Sequence, residues 1–264
     1  MDILKKNPLK RAILEKRAAF GIYVEEPSPT IVELAALAGL DFVRLDWCHG
    51  PFSPATLMNQ VTAAESRGIT PLVRLECNEQ DVGLALELGA MGVIIPGVSD
   101  ASAAGRAVDA VKFAPVGKRG LFSAARKSGF GTVSSSEFTK WTNEEVLLGV
   151  QIETLEAIEN LDEILAVKGI DIVQSGRGDL SNALGVPGEK THPRVLEAEE
   201  KIFGKALSRG LAISPQLDPY APGFEEEVAS WVEKGAYLIS LGIDQAIIKK
   251  AFQGIVKKTS HLAR

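Results

Sequence analysis

Hydrophobic residues along the chain fall into eight short runs, each followed by a segment with the period of an amphipathic helix. The runs lack strict apolar-polar alternation, which is typical of parallel strands covered on both faces. They cover residues 20–24, 42–46, 70–75, 92–97, 148–153, 170–176, 211–216 and 237–242. Several helical segments end in glycine, the residue expected just past a helix. Eight strand-helix units predict an α/β fold of the (β/α)8, or TIM, barrel class.

The structural alternative is an open, doubly wound parallel sheet. Such a sheet usually carries a glycine-rich nucleotide loop after an early strand, and the first two strand ends offer none. Because no linker divides the chain, residues 1–264 are predicted to form a single barrel domain. We expect an N-terminal helix within 1–19 and a C-terminal helix over 244–260. The one long irregular stretch, 114–147, is expected to be an active-site loop region.

Composition and charge narrow the possible functions. Hydrophobic residues make up 45% and charged residues 24% of the chain, the balance of an ordinary globular protein. The net charge of −5 disfavours a nucleic-acid partner held by phosphate contacts. No apolar run approaches the roughly 20 residues of a membrane helix, and two cysteines are too few for a disulfide framework. We therefore expect a cytoplasmic protein without a nucleic-acid or membrane partner.

Polar residues gather at the predicted carboxyl ends of the strands, where such a barrel places its reactive groups. These residues are Asp46, His49, Arg74, Gln151, Glu153, Gly176 to Asp179, Gln216 and Asp244. Simpler structural roles exist: Asp179 suits a helix N-cap, Arg74 an ion pair with Glu76, and His49 a structural histidine. Convergence on one edge of the barrel favours a common site instead.

The chemistry of these residue types points to an enolate. Glu153 and Asp179, at adjacent strand ends, suit a hard divalent cation with open positions for water and substrate. No lysine stands at these strand ends, which argues against a Schiff base and for a metal as electron sink. His49 can act as a base near neutral pH, and the Arg74 guanidinium can hold an oxyanion. Together they predict proton abstraction next to a carbonyl, or its reverse.

Six segments resemble, in order, the HpcH/HpaI class II aldolase family, which includes the 4-hydroxy-2-oxoheptanedioate and 2-keto-3-deoxy-aldarate aldolases. The segments are LDFVRLDWCHGPFS, TPLVRL, LELGAMGVIIPGV, PVGKRGLFSAARKSGFG, VQIETLEAIENLDEILAVKGID and SGRGDLSNALG. The resemblance spans about residues 20–255 and implies a barrel of the phosphoenolpyruvate/pyruvate-domain type. It also implies a metal-dependent aldolase that cleaves or forms 4-hydroxy-2-oxoacids through a pyruvate enolate.

The resemblance carries specific roles onto this chain. Glu153 and Asp179 would bind Mg²⁺, Mn²⁺ or Co²⁺, and pyruvate would chelate that metal through its carboxylate and keto oxygens. The N–H groups of Gly178 and Asp179 would receive the pyruvate carboxylate. Arg74 would stabilise the enolate oxygen, and Gln151 would contact the same oxygen.

The proton-transfer end would be formed by Asp46 and His49, with His49 moving the proton. In the family an acid from a neighbouring subunit orients this histidine, and Glu87 takes that position here. Family members are hexamers built as trimers of dimers, so a homo-oligomer is expected. The expected partners are a small oxoacid, pyruvate, and an aldehyde.

The chain departs from the family pattern at Phe130, which takes a tyrosine position in the long loop, and at three positions of the predicted site. Cys48 stands where relatives carry a glutamate, and a thiol of pKa about 8.5 cannot supply that charge. Trp47 replaces a small residue and is expected to narrow the pocket. Arg177 replaces the usual proline in the substrate-binding segment from Gly176 to Asp179, and an added cation is expected to favour an acidic acceptor.

Other functions stay open at this point. An acyl-CoA lyase of the citrate-lyase β type shares the metal and oxoacid chemistry, and basic residues within 118–127 could meet CoA phosphates, although a solvated lid is the simpler interpretation. A homologue that binds metal and oxoacid without turnover would follow from the lost glutamate. The tripeptide Arg177-Gly178-Asp179 also matches a cell-adhesion motif, but its predicted place at a strand-to-helix turn argues against adhesion.

Overall fold

The computed structural model describes residues 3–262, which form a (β/α)8 barrel as predicted. The strands are β1 Ala19–Val24, β2 Phe42–Asp46, β3 Thr70–Arg74, β4 Gly92–Ile95, β5 Leu147–Ile152, β6 Ile172–Ser175, β7 Ala212–Ser214 and β8 Leu238–Ile243. Each strand pairs in parallel with the next from β1 to β7, and β8 pairs with β1. A single parallel bridge between Gln216 and Ser240 joins β7 to β8 and closes the barrel.

Twelve α-helices surround and extend this barrel within the described residues. They are α1 Pro8–Leu14, α2 Pro29–Leu37, α3 Pro54–Arg67, α4 Glu79–Leu88, α5 Ala101–Val111, α6 Ser135–Glu145, α7 Leu155–Glu159, α8 Leu161–Leu165, α9 Arg177–Ala183, α10 Pro193–Ser208, α11 Phe224–Glu233 and α12 Asp244–Thr259. Two short 3-10 turns cover Arg126–Ser128 and Ser260–Leu262. Over residues 3–262, every helix is too short or too polar to cross a membrane.

Local sequence signals explain where the helices begin and end. At α3, the Ser53 hydroxyl accepts a hydrogen bond from the Thr56 N–H at 3.2 Å, and Pro54 occupies the first helical position. Gly68 then adopts a φ of 73° just past the last turn, a conformation that favours glycine.

The inside of the barrel changes from apolar to polar along the strands. At the amino end a buried apolar layer is packed against Leu9 and Ala12 of α1; it consists of Ala19, Phe42, Leu72, Ile94, Leu147, Ile172, Ala212 and Leu238. One layer further along, the fully buried Arg44 donates hydrogen bonds to the Tyr23 hydroxyl at 3.0 Å and to Ser214 Oγ at 2.8 Å. The carboxyl end therefore begins on a polar floor.

Two elements differ from the sequence-based expectation. The N-terminal helix is confined to α1, because the Asn7 side chain caps the Leu9 N–H and Pro8 fixes the first position; Met1 and Asp2 lie outside the described residues. The stretch 114–147 is less irregular than expected, because a capping box between Ser134 and Glu137 begins α6 within it.

Candidate active site

A cavity of about 400 Å³ opens at the carboxyl end of the barrel. The ends of several strands and the first turns of α9 and α12 form its wall. The predicted site residues that line it are Asp46, His49, Arg74, Gln151, Gly176, Arg177, Gly178 and Asp179. All of them stand at or just after the carboxyl end of a strand. The fold therefore brings together residues that are up to 133 positions apart in the sequence, from residue 46 to residue 179.

Arg74 is held in one orientation by two neighbours. The register of β2 and β3 sets Asp46 beside Arg74, and Nη1 of Arg74 donates to Asp46 Oδ2 at 3.0 Å. Nε of Arg74 donates to Gln151 Oε1, also at 3.0 Å. Among residues 3–262, Nη2 has no hydrogen-bond partner, so it remains available to an oxygen atom of a ligand.

Glu153 follows β5 directly and is 8% exposed. Its Oε1 accepts a hydrogen bond from the Gly97 N–H at 2.8 Å, and its Oε2 accepts one from Gln151 Nε2. Burial, and next the negative charge of Asp179 at the start of α9, raise the pKa of Glu153 above that of an ordinary glutamate. The carboxyl groups of Glu153 and Asp179 therefore lie side by side, where the negative charge of one disfavours ionisation of the other.

Gly176 is required by this arrangement. A Cβ atom at residue 176 would lie 2.5 Å from Gln151 Nε2 and 2.6 Å from Glu153 Oε2. Both distances are well inside van der Waals contact, so any side chain would displace the two groups. The absence of a Cβ lets Gln151 and Glu153 reach the first turn of α9.

The donor set at Glu153 and Asp179 fits a divalent metal ion. Hard cations such as Mg²⁺ bind carboxylate oxygens, use one or two of them, and keep further positions for water and substrate. Within residues 3–262, no group of three or more His, Cys, Asp or Glu side chains forms a metal-ligand cluster. The protein would therefore supply two carboxylates and leave the remaining positions open, and the positive charge would relieve the repulsion that raises the pKa of Glu153.

His49 stands in the turn after β2, where Asp46 fixes the backbone. Asp46 Oδ1 accepts hydrogen bonds from the Cys48 N–H at 3.0 Å and from the His49 N–H at 3.3 Å. The imidazole lines the cavity and has no hydrogen bond to another described residue. Its two nitrogens are therefore free to exchange a proton with a ligand.

The two residues before His49 in the sequence do not line the cavity. Trp47 is packed against the apolar core of the barrel, so within one chain it does not narrow the pocket as expected. Burial raises the pKa of the Cys48 thiol to about 12, so the thiol is uncharged at neutral pH and unsuited to nucleophilic attack.

Arg177 is paired and does not act as a free cation. Its Nε donates to Glu199 Oε2 at 2.8 Å, and its Nη2 donates to Glu227 Oε1 at 2.7 Å. The two negative charges of Glu199 and Glu227 more than neutralise the positive charge of Arg177. Arg177 therefore does not supply the added positive charge that was expected to favour an acidic acceptor aldehyde. Arg177 instead links α9 to α10 and α11.

Glu87 and the stretch 114–147 do not line this cavity within one chain. Glu87 lies on α4, and a contribution from a neighbouring subunit stays a prediction. The basic residues of 118–127 are already engaged: Lys118 pairs with Asp109, Arg126 and Lys127 pair with Glu65, and Arg119 is buried. The structure therefore offers no free basic cluster in this stretch for CoA phosphates.

Glu25 is a lining residue with an ionisable side chain that the sequence reasoning missed. It directly follows Val24, the last residue of β1, so the strand-end rule could have found it. Burial, followed by the charges of Asp46 and Asp244, raises the pKa of its carboxyl group, and the charge on His49 acts in the opposite direction. A further carboxyl group therefore stands beside His49.

The chain is similar in sequence and in structure to known aldolases. The sequence profile of the family described as HpcH/HpaI aldolase/citrate lyase matches residues 19–251. A 2-keto-3-deoxy-L-rhamnonate aldolase from Klebsiella pneumoniae subsp. pneumoniae is 31% identical over 253 residues, 95% of this chain and 92% of that relative. A 5-keto-4-deoxy-D-glucarate aldolase from Escherichia coli O6:H1 is 32% identical over 248 residues, 94% of each chain. The crystal structure of an HpcH/HpaI aldolase from Desulfitobacterium hafniense DCB-2 superposes with a TM-score of 0.88 at 30% identity and covers 96% of both chains.

Proposed function

Because this chain belongs to the HpcH/HpaI aldolase/citrate lyase family and is an aldolase, we propose that it is a divalent-metal-dependent carbon-carbon lyase. Its reaction would cleave a 4-hydroxy-2-oxoacid to pyruvate and an aldehyde, or form it from them. The observation that carries this proposal is the meeting of His49 and the anchored Arg74 with the carboxyl pair of Glu153 and Asp179 at one end of the barrel.

The donor end of the substrate would be held by α9 and Arg74. The N–H groups of Gly178 and Asp179, in the first turn of α9, would receive the carboxylate of the oxoacid. Nη2 of Arg74 would donate to the keto oxygen, which becomes negative in the enolate. A metal ion bound by Glu153 and Asp179 would supply a Lewis acid that draws electron density from the keto group.

His49 would move the proton. In cleavage, its imidazole accepts the proton of the 4-hydroxyl group, the C3–C4 bond breaks, and the electron pair of that bond forms the enolate. The aldehyde leaves, and the proton is returned to C3 to give the methyl group of pyruvate. In synthesis the same steps run backwards, with His49 first taking a methyl proton.

The proposed substrate class rests on the relatives and on the pairing and burial of the basic residues in 118–127. The two relatives are named for aldols of the keto-deoxy sugar acid class, which we propose for this chain as well. An acyl-CoA substrate has less support, because the basic residues of 118–127 are paired or buried.

Exchange of the pyruvate methyl protons with D₂O, followed by NMR, tests the metal-enolate chemistry. We expect exchange in the wild type with added Mg²⁺ or Mn²⁺, and its loss on chelation and in Glu153→Ala. Glu156→Ala is the matched control, because Glu156 is exposed on α7 three residues further along. Exchange that survives chelation, or that survives in Glu153→Ala, would contradict the proposal.

Self-association and a reducing compartment belong to the same proposal. We infer a homo-oligomer, because α12 exposes an apolar face while only Asp244 among its residues is buried. The expectation of a hexamer built as a trimer of dimers rests on the family resemblance alone. A cytoplasmic location agrees with the unpaired thiols of Cys48 and Cys77.

A further inference from the structure

Three carboxyl groups cluster where β1, β2 and β8 end, next to His49. They belong to Glu25, Asp46 and Asp244, and the charges of Asp46, Asp244 and His49 all act on Glu25. A carboxylate beside a proton-carrying imidazole fixes the orientation of its ring and stabilises the imidazolium. The question is which of the three groups is free to do so.

Asp46 and Asp244 are already committed to holding the backbone and Arg74. Asp46 accepts hydrogen bonds from the N–H groups of Cys48 and His49 on one oxygen and from Arg74 on the other. Asp244 Oδ1 accepts from the N–H groups of Glu25 and Gln245, at 3.1 and 2.8 Å. Its Oδ2 accepts from the N–H of Glu26 at 3.1 Å.

The Glu25 carboxyl group is the uncommitted member of this cluster. It lines the same cavity as His49, and it makes no hydrogen bond to another residue of the described chain. Its backbone is nevertheless fixed on both sides. The N–H is bound by Asp244, and the carbonyl oxygen touches the turn that carries His49, since a Cβ at Gly50 would lie 2.5 Å from that oxygen.

The residue next to His49 in the chain cannot supply a charge. Cys48 lies close enough to Asp46, Arg74 and Glu153 to be affected by their charges, but burial keeps its thiol protonated at neutral pH. Within one chain, the uncommitted carboxyl group near the imidazole is that of Glu25, which follows β1 and lines the same cavity.

We propose that Glu25 is a positioning residue for His49, whose carboxylate orients the imidazole, directly or through one water, for the proton transfer of the aldol reaction. This inference rests on the proposed function. Glu25 acts on the reaction through His49 and holds neither the metal nor the oxoacid.

The test uses Glu25→Gln, which removes the charge and keeps the shape, with Glu25→Asp as the conservative variant. Glu26→Gln is the matched control, because the Glu26 N–H is also bound by Asp244 while Glu26 is not among the residues that line the cavity. Each variant is measured for pyruvate methyl exchange, for kcat and KM in cleavage across pH, and for Mn²⁺ affinity by calorimetry.

We expect Glu25→Gln to lower kcat by about 10- to 100-fold, the size of loss that follows when the partner orienting a metal-bound histidine is removed. Its KM for the oxoacid and its Mn²⁺ affinity should match the wild type, and Glu25→Asp should lie between the two. In the wild type, activity should fall as the pH drops through the raised pKa of Glu25, because only the ionised carboxylate can orient and stabilise the His49 imidazolium. Glu25→Gln should lack this inflection.

Two results would overturn the inference. One is a Glu25→Gln enzyme with the kcat and pH profile of Glu26→Gln. The other is a parallel loss of Mn²⁺ affinity or of thermal stability, which would make the role structural. A wild type without metal-dependent exchange would refute the proposed function itself and this inference with it, so the wild-type measurement separates the two failures.

Discussion

At the scale of single residues, the absence of a Cβ atom at Gly176 leaves the space in which the side chains of Gln151 and Glu153 approach the start of α9. Gly176→Ala would bring a Cβ within 2.6 Å of both side chains, so we expect displacement of the two groups. A displacement of about 1 Å costs about 100-fold in rate, and overpacking costs about 1–3 kcal/mol of stability. Calorimetric Mn²⁺ affinity should fall together with aldol cleavage.

Gly178→Ala is the control for this prediction. A Cβ at residue 178 would meet only Lys190 Cε, at 3.9 Å, which is an ordinary contact. Mn²⁺ affinity should therefore stay at the wild-type level in Gly178→Ala. Equal Mn²⁺ affinities in the two variants would mean that the space at residue 176 does not limit the carboxyl pair.

The sequence predicts those lining residues of the cavity that stand directly at the end of a strand, and it does not predict contacts with distant helices. Asp46, His49 and Arg74 stand at strand ends, and the strand pattern is sufficient to bring them together. The ion pairs of Arg177 could not be foreseen, because Glu199 and Glu227 come from helices 22 and 50 residues further along. Such contacts depend on how α10 and α11 pack, which the spacing of apolar residues does not specify.

At the scale of elements, strands were easier to predict than loops for a physical reason. The strands β2 to β7 are buried along their whole length, so their apolar runs are continuous and polar residues mark their ends. The stretch 114–147 gave no comparable signal, since α6 is a short helix with few buried residues. Its beginning is determined by the capping box of Ser134 and Glu137, which was not recognised within a region rich in serine.

The helix α12 carries the prediction that belongs to this scale. Phe252, Ile255 and Val256 share one helical face and are 63%, 60% and 63% exposed. If this face is covered by another copy of the chain, Phe252→Glu should shift the mass measured by light scattering towards smaller species, because a buried carboxylate without a partner is costly. Gln253→Glu, at an exposed polar position of the same helix, should leave the mass unchanged. An unchanged mass in both variants would contradict a role for this face in assembly.

At the scale of the whole molecule, the barrel has one weak seam. β1 and β2 share four registered residue pairs, whereas β7 and β8 are joined by the single bridge of Gln216 and Ser240. The backbone bonds across the seam run from the Leu217 N–H to the Ser240 oxygen at 2.9 Å and from the Ser240 N–H to the Pro215 oxygen at 3.0 Å. We expect local opening to begin there.

Amide hydrogen exchange followed by mass spectrometry checks this expectation. The N–H groups of Leu217 and Ser240 should exchange faster than those of β2, whose central residues are hydrogen-bonded on both sides. A bound oxoacid should slow this exchange, because Gln216 and Leu217 line the cavity. Uniform protection around the barrel would show that the short bridge is as stable as the longer ladders.

The layer containing Arg44 has a consequence for redesigning the enzyme. Arg44 separates the apolar packing at the amino end from the reacting groups at the carboxyl end, and it is held by Tyr23 and Ser214 without a carboxylate partner among residues 3–262. We therefore expect substitutions among the outer lining residues, such as Asp218 and Tyr220, to disturb the packing beneath this layer little. The preference for the acceptor aldehyde could then be changed over many rounds of selection with little loss of stability of the barrel.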